Sequence, residues 1–123
     1  MQIEVKTVKL CVMVPTEYTE ALRSAIGKYP CGIQGNYSEC MNITRCNCTF
    51  RPNEKANPFK GSKNVLEHSI EDKIEVVCDI DQVKGLIALI KDNHPYEEVG
   101  IDIYPLIDLD YFKNYIINIK CTG

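Results

Sequence analysis

The sequence predicts an α+β fold assembled from two copies of one strand–helix–strand unit. Residues 9–30 and 73–95 each run from an alternating apolar strand, through an amphipathic helix, to a proline. Residues 31–61 separate the two units and contain four of the seven cysteines and three of the seven glycines. A chain of 123 residues with 45% apolar residues is long enough for one domain, 1–123, with a real core.

The first unit begins with a strand and continues into a helix. Apolar side chains alternate with others over residues 8–14, which predicts a strand that Pro15 ends. Thr16 is the predicted N-cap of the following helix, and Gly27 lies near its predicted end. The apolar stripe of this helix, at spacing i, i+3, i+4 and i+7, consists of Leu22, Ala25, Ile26 and Tyr29.

Two further strands are predicted on either side of a loop. Residues 37–43 form a strand candidate, and a turn at residues 44–45 could lead into a short strand over residues 46–50. The composition of residues 52–61 predicts a loop. Residues 70–80 then predict a long strand. Its apolar face consists of Ile74, Val76, Cys78 and Ile80.

The second unit repeats this order. Asp79 or Asp81 can cap its helix, which residues 93–95 end. Alternation over residues 99–105 predicts the fourth strand, and residues 111–119 suit either an extra strand or a short helix. The apolar stripe of the helix consists of Val83, Leu86, Ile87 and Ile90.

These elements predict a ferredoxin-like plait with the order βαββαβ, an inserted loop or hairpin, and a C-terminal extension. Right-handed crossovers place both helices on one face of an antiparallel sheet. The other face then carries partly apolar side chains with no helix to cover them, which predicts association with further copies of the chain. These side chains include Cys11, Met13, Val77 and Tyr104.

Composition and the first residues argue against several classes of protein. The formal net charge of −3 argues against a nucleic-acid surface, and no apolar run approaches the roughly 18 residues of a membrane span. Glu4 and the strand-like alternation at the N-terminus do not fit a secretory signal, so a cytoplasmic location is expected. Asn36, Asn42 and Asn47 then match the glycosylation triplet by chance.

Three segments carry a family resemblance: residues 32–40 (GIQGNYSEC), residues 50–61 with FRP and ANPFKG, and residues 94–106 with HPYEE and DIYPL. Over residues 6–107 they resemble the YqfO-type domain, which is inserted into the Nif-three-like dinuclear-metal hexamers and also occurs as a small free-standing protein. The resemblance implies a fold like that of PII signalling proteins and CutA copper-tolerance proteins. It therefore also implies a homotrimer, because those families pack their sheets together as trimers.

The resemblance has limits. The metal centre of the larger proteins lies in flanking domains, so their hydrolase chemistry is not implied for these residues. Residues 45–48 (RCNC) replace a glycine-rich turn that is usual in the family. The extension over residues 109–123 falls outside the resemblance altogether.

A candidate ligand site begins with Gly32 and Gly35, which flank a tight link between helix and strand. The spacing fits either a backbone conformation that favours glycine, or a small anion or nucleotide held by backbone amides, as in PII-like sites at subunit edges. The family motifs extend the candidate ligand-binding set, which consists of Gly32, Gly35, Asn36, Tyr37, Arg51, Asn57, His94, Tyr96 and Glu97.

The thiols of Cys31, Cys40, Cys46 and Cys48 could form a metal-binding set. Only Cys46 and Cys48 are close in sequence, and C-x-C is a poor spacing for zinc, although in a strand both side chains share one face. Free thiols, a redox pair, and a Cu(I) or Zn(II) site are the alternatives.

An oxygen- and nitrogen-rich site for a divalent ion is suggested by His94, Glu97 and Glu98. The alternative is that His94 marks a helix C-terminus, where a cation is favoured and Pro95 blocks continuation. The candidate metal ligands are Cys46, Cys48, His94 and Glu98.

Three functions are compatible with these observations. The first is a non-catalytic, trimeric PII-like module that binds a small ligand or metal ion in clefts between subunits, with a regulatory or assembly role. The second is a purely structural oligomerisation domain. The third is a metal-assisted hydrolase that acts with a di-metal partner, although no Ser–His–Asp, Cys–His or phosphate-loop pattern is present.

Overall fold

The structure, a computed structural model, describes residues 3–112 and confirms the predicted α+β plait. Four antiparallel strands form one sheet in the order β2-β3-β1-β4, with both helices packed on the same face. The elements are β1 (Thr7–Pro15), α1 (Thr19–Gly27), β2 (Met41–Phe50), β3 (Glu67–Asp79), α2 (Val83–Asp92) and β4 (Ile101–Leu106). Short 3-10 turns occupy Thr16–Tyr18, Ile80–Gln82 and Leu109–Phe112.

The core lies between the sheet and the helices. Each helix contributes two fully buried residues of its predicted stripe, Leu22 and Ile26 from α1 and Leu86 and Ile90 from α2. Burying each such side chain is worth about 1.5–3 kcal/mol. The strands contribute Val8, Leu10, Val12, Val14, Ile74, Val76 and Cys78, on the faces that the alternation predicted.

The predicted helix caps are wrong. A 3-10 turn precedes each helix, so α1 begins after Tyr18 and α2 after Gln82, and neither position makes a side-chain capping hydrogen bond. Thr16, Asp79 and Asp81 therefore lie too early in the chain to cap an α-helix. Ile80, predicted on the apolar face of β3, lies in the second turn and is exposed.

The predicted break at residues 44–45 is also wrong. β2 is one continuous strand that pairs with β3 from Met41 opposite Val76 to Phe50 opposite Glu67. The strand begins at Met41 and not at Tyr37. Pairing with a 13-residue partner outweighs the weak local turn signal, and no hairpin forms within residues 41–50.

The second sheet face, called the open face here, is covered by neither described helix. It is more highly charged than the sequence pattern suggested, because β3 contributes Glu71, Lys73 and Glu75 in succession to this face. From β1, β3 and β4 it carries Lys9, Cys11, Met13, Glu71, Lys73, Glu75, Val77, Asp102 and Tyr104, and from β2 it carries Asn42, Thr44, Cys46, Cys48 and Phe50.

The C-terminal prediction can be compared with the structure only in part. Leu109–Phe112 form a 3-10 turn, and the remainder of the element expected over residues 111–119 lies outside the described residues. None of the helices within residues 3–112 has the length and apolar character needed to cross a membrane.

Candidate functional site

A pocket of about 610 Å³ lies at one end of the open face. Its walls are the loop over residues 51–60, the segment over residues 96–98, and four open-face side chains, Met13, Cys48, Phe50 and Glu71. This volume falls within the roughly 300–1,000 Å³ that small-molecule sites occupy. The cavity, called the loop pocket below, gathers several of the predicted ligand-binding residues.

Aromatic rings form one wall of the loop pocket. Tyr96 lies at their centre, with ring centroids 6.3 Å from Phe50 and 6.1 Å from Phe59. Tyr18 packs edge-on against Phe59 at 5.7 Å. These rings fix the loop against the helix-to-strand segment and give the pocket an apolar surface.

The hydroxyl oxygen of Tyr96 is buried and makes no hydrogen bond of good geometry with residues 3–112, although the Ser69 hydroxyl lies close enough to oppose part of the rise in its pKa. Burial, together with the nearby carboxylates of Glu71 and Glu17, raises the pKa of Tyr96 to about 12. A buried polar group without a partner costs about 1–3 kcal/mol. This phenol is therefore a neutral group with an unused hydrogen-bonding capacity beside the pocket.

Three acidic side chains line the pocket, Glu71, Glu97 and Glu98, and Glu71 is the buried one, with only 4% of its surface exposed. Its Oε2 accepts a hydrogen bond of 2.7 Å from the Ser69 hydroxyl. Within the described part of the chain, no lysine or arginine forms a salt bridge with it. A carboxylate is thus buried beside the cavity without a cationic partner.

His94 holds the pocket wall in place. Its Nε2 donates to the Met13 carbonyl oxygen over 2.6 Å, and its Nδ1 accepts the Tyr96 backbone N–H at 3.1 Å. The second contact requires an unprotonated Nδ1, so these bonds specify the neutral ring with hydrogen on Nε2. Both ring nitrogens are therefore engaged, and His94 orients Tyr96.

Polar contacts attach the 51–60 loop to the rest of the protein. The Asn57 N–H donates to Glu97 Oε1 over 3.3 Å, and Arg51 Nη1 donates to the Asn64 carbonyl over 3.0 Å. Lys60 forms a 2.8 Å salt bridge with Glu17. The predicted residues Arg51, Tyr96 and Glu97 thus line the loop pocket together, and Asn57 is hydrogen-bonded to Glu97.

The glycine-containing part of the predicted ligand set lies elsewhere. The Gly32 N–H donates to the Val77 carbonyl, which lies six residues along β3 from Glu71, or roughly 20 Å at about 3.3 Å per residue. A Cβ at Gly32, whose φ is +64°, would meet the Cys40 carbonyl oxygen at 2.9 Å. Gly32 is therefore required by the local backbone conformation.

Gly35, Asn36 and Tyr37 belong to the same distant region. Gly35 has a φ of +57° within a tight turn whose backbone bonds join Gln34 and Tyr37. The predicted ligand-binding set therefore divides into two groups at opposite ends of the sheet. In the second group, Arg51, Tyr96 and Glu97 line the loop pocket, and Asn57 and His94 are hydrogen-bonded to residues that line it.

The predicted metal ligands do not converge. Cys46 and Cys48 share the open face of β2, as expected from their spacing. However, residues 3–112 contain no group of three or more histidine, cysteine or acidic side chains placed to hold a metal ion, so these thiols are not gathered with His94 and Glu98. Burial, then the charge of Glu71, raises the pKa of the Cys48 thiol.

The other two thiols of the possible metal set are also apart. Cys31 belongs to the core beneath the helices, where burial raises the pKa of its thiol to about 11. Cys40 lies in the region of the Gly35 turn, and its Sγ contacts the Ser38 carbonyl oxygen. Neither lines the loop pocket.

Sequence reasoning missed Glu71, Phe50 and Phe59 as site residues. The sequence did contain a signal for Glu71, because Glu71 and Asp72 are adjacent in a strand that is apolar on one face. Successive side chains point to opposite faces, so one acid had to be buried under the helices and the other placed on the open face. Nothing in the local pattern indicated that the 51–60 loop folds over the second acid.

Comparison with known proteins relates the chain to one part of larger proteins. No family model matches the chain. A GTP cyclohydrolase 1 type 2 homolog of Halalkalibacterium halodurans is 41% identical over 98 residues, which are 80% of this chain and 26% of that protein. The chain therefore spans about a quarter of the length of the curated relatives that it matches.

Two solved structures also resemble the chain, one as part of a larger protein and one over nearly its whole length. A Bacillus cereus protein related to NIF3 matches with a TM-score of 0.74 and 32% identity, covering 87% of this chain and 27% of that one. CutA1 from the psychrotrophic bacterium Shewanella sp. SIB1 matches with a TM-score of 0.66 and 16% identity, covering 98% and 97%. At that identity the second likeness shows the fold alone.

Proposed function

We propose that this chain, which carries a YqfO-type, PII-like domain of the Nif-three-like family, is a non-catalytic module that binds a small organic molecule in the loop pocket. The observation that carries the proposal is the buried, unpartnered hydroxyl of Tyr96 beside a pocket with aromatic walls. A ligand with a flat apolar ring and one polar group would contact those walls and supply the missing hydrogen bond.

The titratable groups around the pocket support binding over catalysis. General acid–base catalysis needs groups whose pKa values lie near neutral pH. The pKa of Tyr96 is raised to about 12, and the pKa of the Cys48 thiol is also raised. His94 uses both ring nitrogens to hold the backbone.

We further propose that the module is a homotrimer assembled through its open face. Met13, Cys48 and Glu71 belong both to that face and to the pocket lining. A second subunit packed on the open face would then border the pocket, which becomes a cleft between subunits. Light scattering on a sizing column should give a mass near three times 14.0 kDa, and a clean monomer at tens of micromolar would contradict the trimer.

Ligand binding can be tested by NMR with a fragment library of flat ring compounds added to the uniformly labelled protein. Binding should shift the amide signals of Tyr96 and the 51–60 loop and leave those around Gly35 unchanged. Ala56→Trp places a large side chain in the pocket and should abolish the shifts, whereas Ile33→Ala, at an exposed distant position, should not.

Two outcomes would overturn the proposed function. One is a library in which no compound shifts the pocket signals of the wild-type protein. The other is turnover of a bound compound, with or without Mg²⁺, Mn²⁺ or Zn²⁺, that Ala56→Trp abolishes, since this would make the pocket an active site.

A further inference from the structure

We infer that the ligand of the loop pocket carries a protonated amine, which pairs with the carboxylate of Glu71. This inference rests on the proposed function and names the chemical class of its ligand. It combines three observations: a buried carboxylate without a cation, aromatic rings around the cavity, and loop cations that form no salt bridge with that carboxylate.

The first observation is the environment of Glu71. The side chain is 4% exposed and lines the cavity, yet its side-chain hydrogen-bond partner within residues 3–112 is the neutral Ser69 hydroxyl. Buried carboxylates are normally paired with a cation or bound to several donors. An ammonium group entering the pocket would supply both the opposite charge and the donors that are missing.

The second observation is the aromatic wall made by Phe50, Phe59 and Tyr96. A cation within about 6 Å of an aromatic ring face is attracted by the ring's negative electrostatic potential. The raised pKa of Tyr96 keeps its ring neutral, and its hydroxyl oxygen can accept a hydrogen bond from an ammonium group. The rings and Glu71 therefore favour the same kind of ligand.

The third observation concerns the positive charges that line the pocket. Arg51 donates to the Asn64 carbonyl, and Lys60 pairs with Glu17, so two loop cations have partners outside the pocket. Lys55 also lines the pocket, as do Glu97 and Glu98, and no salt bridge within residues 3–112 joins Lys55 to Glu71. The buried carboxylate of Glu71 is thus left for the ligand, and it repels an anionic group at the same place.

The test uses three probes that share a phenyl ring and differ in charge: 2-phenylethylamine, 3-phenylpropanol and 3-phenylpropionate. Each is titrated into the full chain at pH 7 and followed by the amide signals of the loop pocket. The amine should bind most tightly. Glu71→Gln should weaken the amine about tenfold or more and change the alcohol little, because only the charge-assisted bond is lost.

Glu75→Gln is the matched control, since Glu75 lies on the same face of β3 but outside the loop pocket. It should leave the preference for the amine unchanged. If Glu71→Gln does not fold, Glu71→Asp keeps the charge and shortens the side chain, and an intermediate loss of amine affinity is expected.

The outcomes separate the inference from the proposed function. The inference is overturned if the alcohol or the acid binds as tightly as the amine. It is also overturned if Glu71→Gln and Glu71→Asp leave the amine affinity unchanged. In either case the loop pocket still binds a ligand, so the proposed function stands. A failure of all three probes and of the wider library to bind overturns the proposed function itself.

Discussion

Two neighbouring acids, Asp72 and Glu71, are buried to the same extent on opposite faces of β3, each with 4% of its surface exposed. Asp72, on the helix side, accepts a 2.6 Å hydrogen bond from Thr19 and a 3.1 Å salt bridge from Arg45. Glu71, on the open face, accepts a side-chain hydrogen bond from Ser69 alone within residues 3–112. Asp72 therefore has both a hydrogen-bond donor and a cation as partners, whereas Glu71 has no cationic partner within residues 3–112.

The difference follows from what covers each face. The helix side closes on folding, so a charge there must find partners within the chain. The pKa of Asp72 is accordingly lowered, first by its hydrogen bond with Arg45 and then by that with Thr19. The open face keeps a pocket, so a missing partner can come from outside the chain. The comparison therefore separates a structural acid from an acid that is available for binding.

The largest effect is expected in the covered core. Leu22→Ala and Ile90→Ala should each lower the free energy of unfolding by about 2–5 kcal/mol, because each removes a fully buried side chain and leaves a cavity. Denaturant unfolding measures both. Ile33→Ala, at a position 62% exposed, is the control and should change stability by no more than about 0.5 kcal/mol. A loss below about 1 kcal/mol in both core variants would mean that the helices do not pack as described.

The next effect concerns Asp72. Asp72→Asn should lower the free energy of unfolding by about 1–2 kcal/mol at neutral pH, because it removes the charge that Thr19 and Arg45 contact. Since Arg45 is largely exposed, water screens part of that salt bridge.

The pH dependence of the free energy of unfolding tests the role of the Asp72 charge more directly. The pKa of Asp72 is lowered in the folded protein, so its contribution is present above the unfolded-state pKa of about 3.9 and is lost as the pH falls through the lower, folded-state pKa. The stability gap between the wild type and Asp72→Asn should therefore close in acid below about pH 4. A gap of constant size down to pH 2 would show that the charge of Asp72 does not matter.

The sequence predicted the covered half of the molecule better than the open half. Helical and strand periodicity identified Leu22, Leu86 and Val12 as core residues because burial imposes a repeating pattern. The 3-10 turns before the helices leave no such pattern, so the caps were misplaced. The family motifs gave Tyr96, but long-range folding of the 51–60 loop decides that Tyr96 lines the same pocket as Glu71, and no local signal encodes that arrangement.

A smaller effect is expected from the thiols on the open face. Replacing Cys46 and Cys48 together by serine should cost up to about 1 kcal/mol, because both side chains are only partly buried and serine is similar in size. A metal held by these thiols would give a different result, since structural zinc contributes on the order of 10 kcal/mol or more to folding in small sites. Elemental analysis of protein purified without chelator, paired with unfolding of the double variant, distinguishes the two. About one equivalent of zinc or copper, lost with several kcal/mol of stability, would contradict the expectation.

The smallest effect on stability should come from Glu71→Gln, which is the direct counterpart of Asp72→Asn. Both changes replace a buried carboxylate with an amide of the same shape, and they affect adjacent residues of one strand. Glutamine at position 71 keeps an oxygen for Ser69 and removes a charge that has no salt-bridge partner within residues 3–112, so the free energy of unfolding should stay the same or rise by up to about 1 kcal/mol. Thermal and denaturant unfolding of both variants under one set of conditions measures the contrast. A loss of about 1 kcal/mol or more for Glu71→Gln would show that the protein already satisfies this carboxylate, and Glu71 would then be a structural acid like its neighbour.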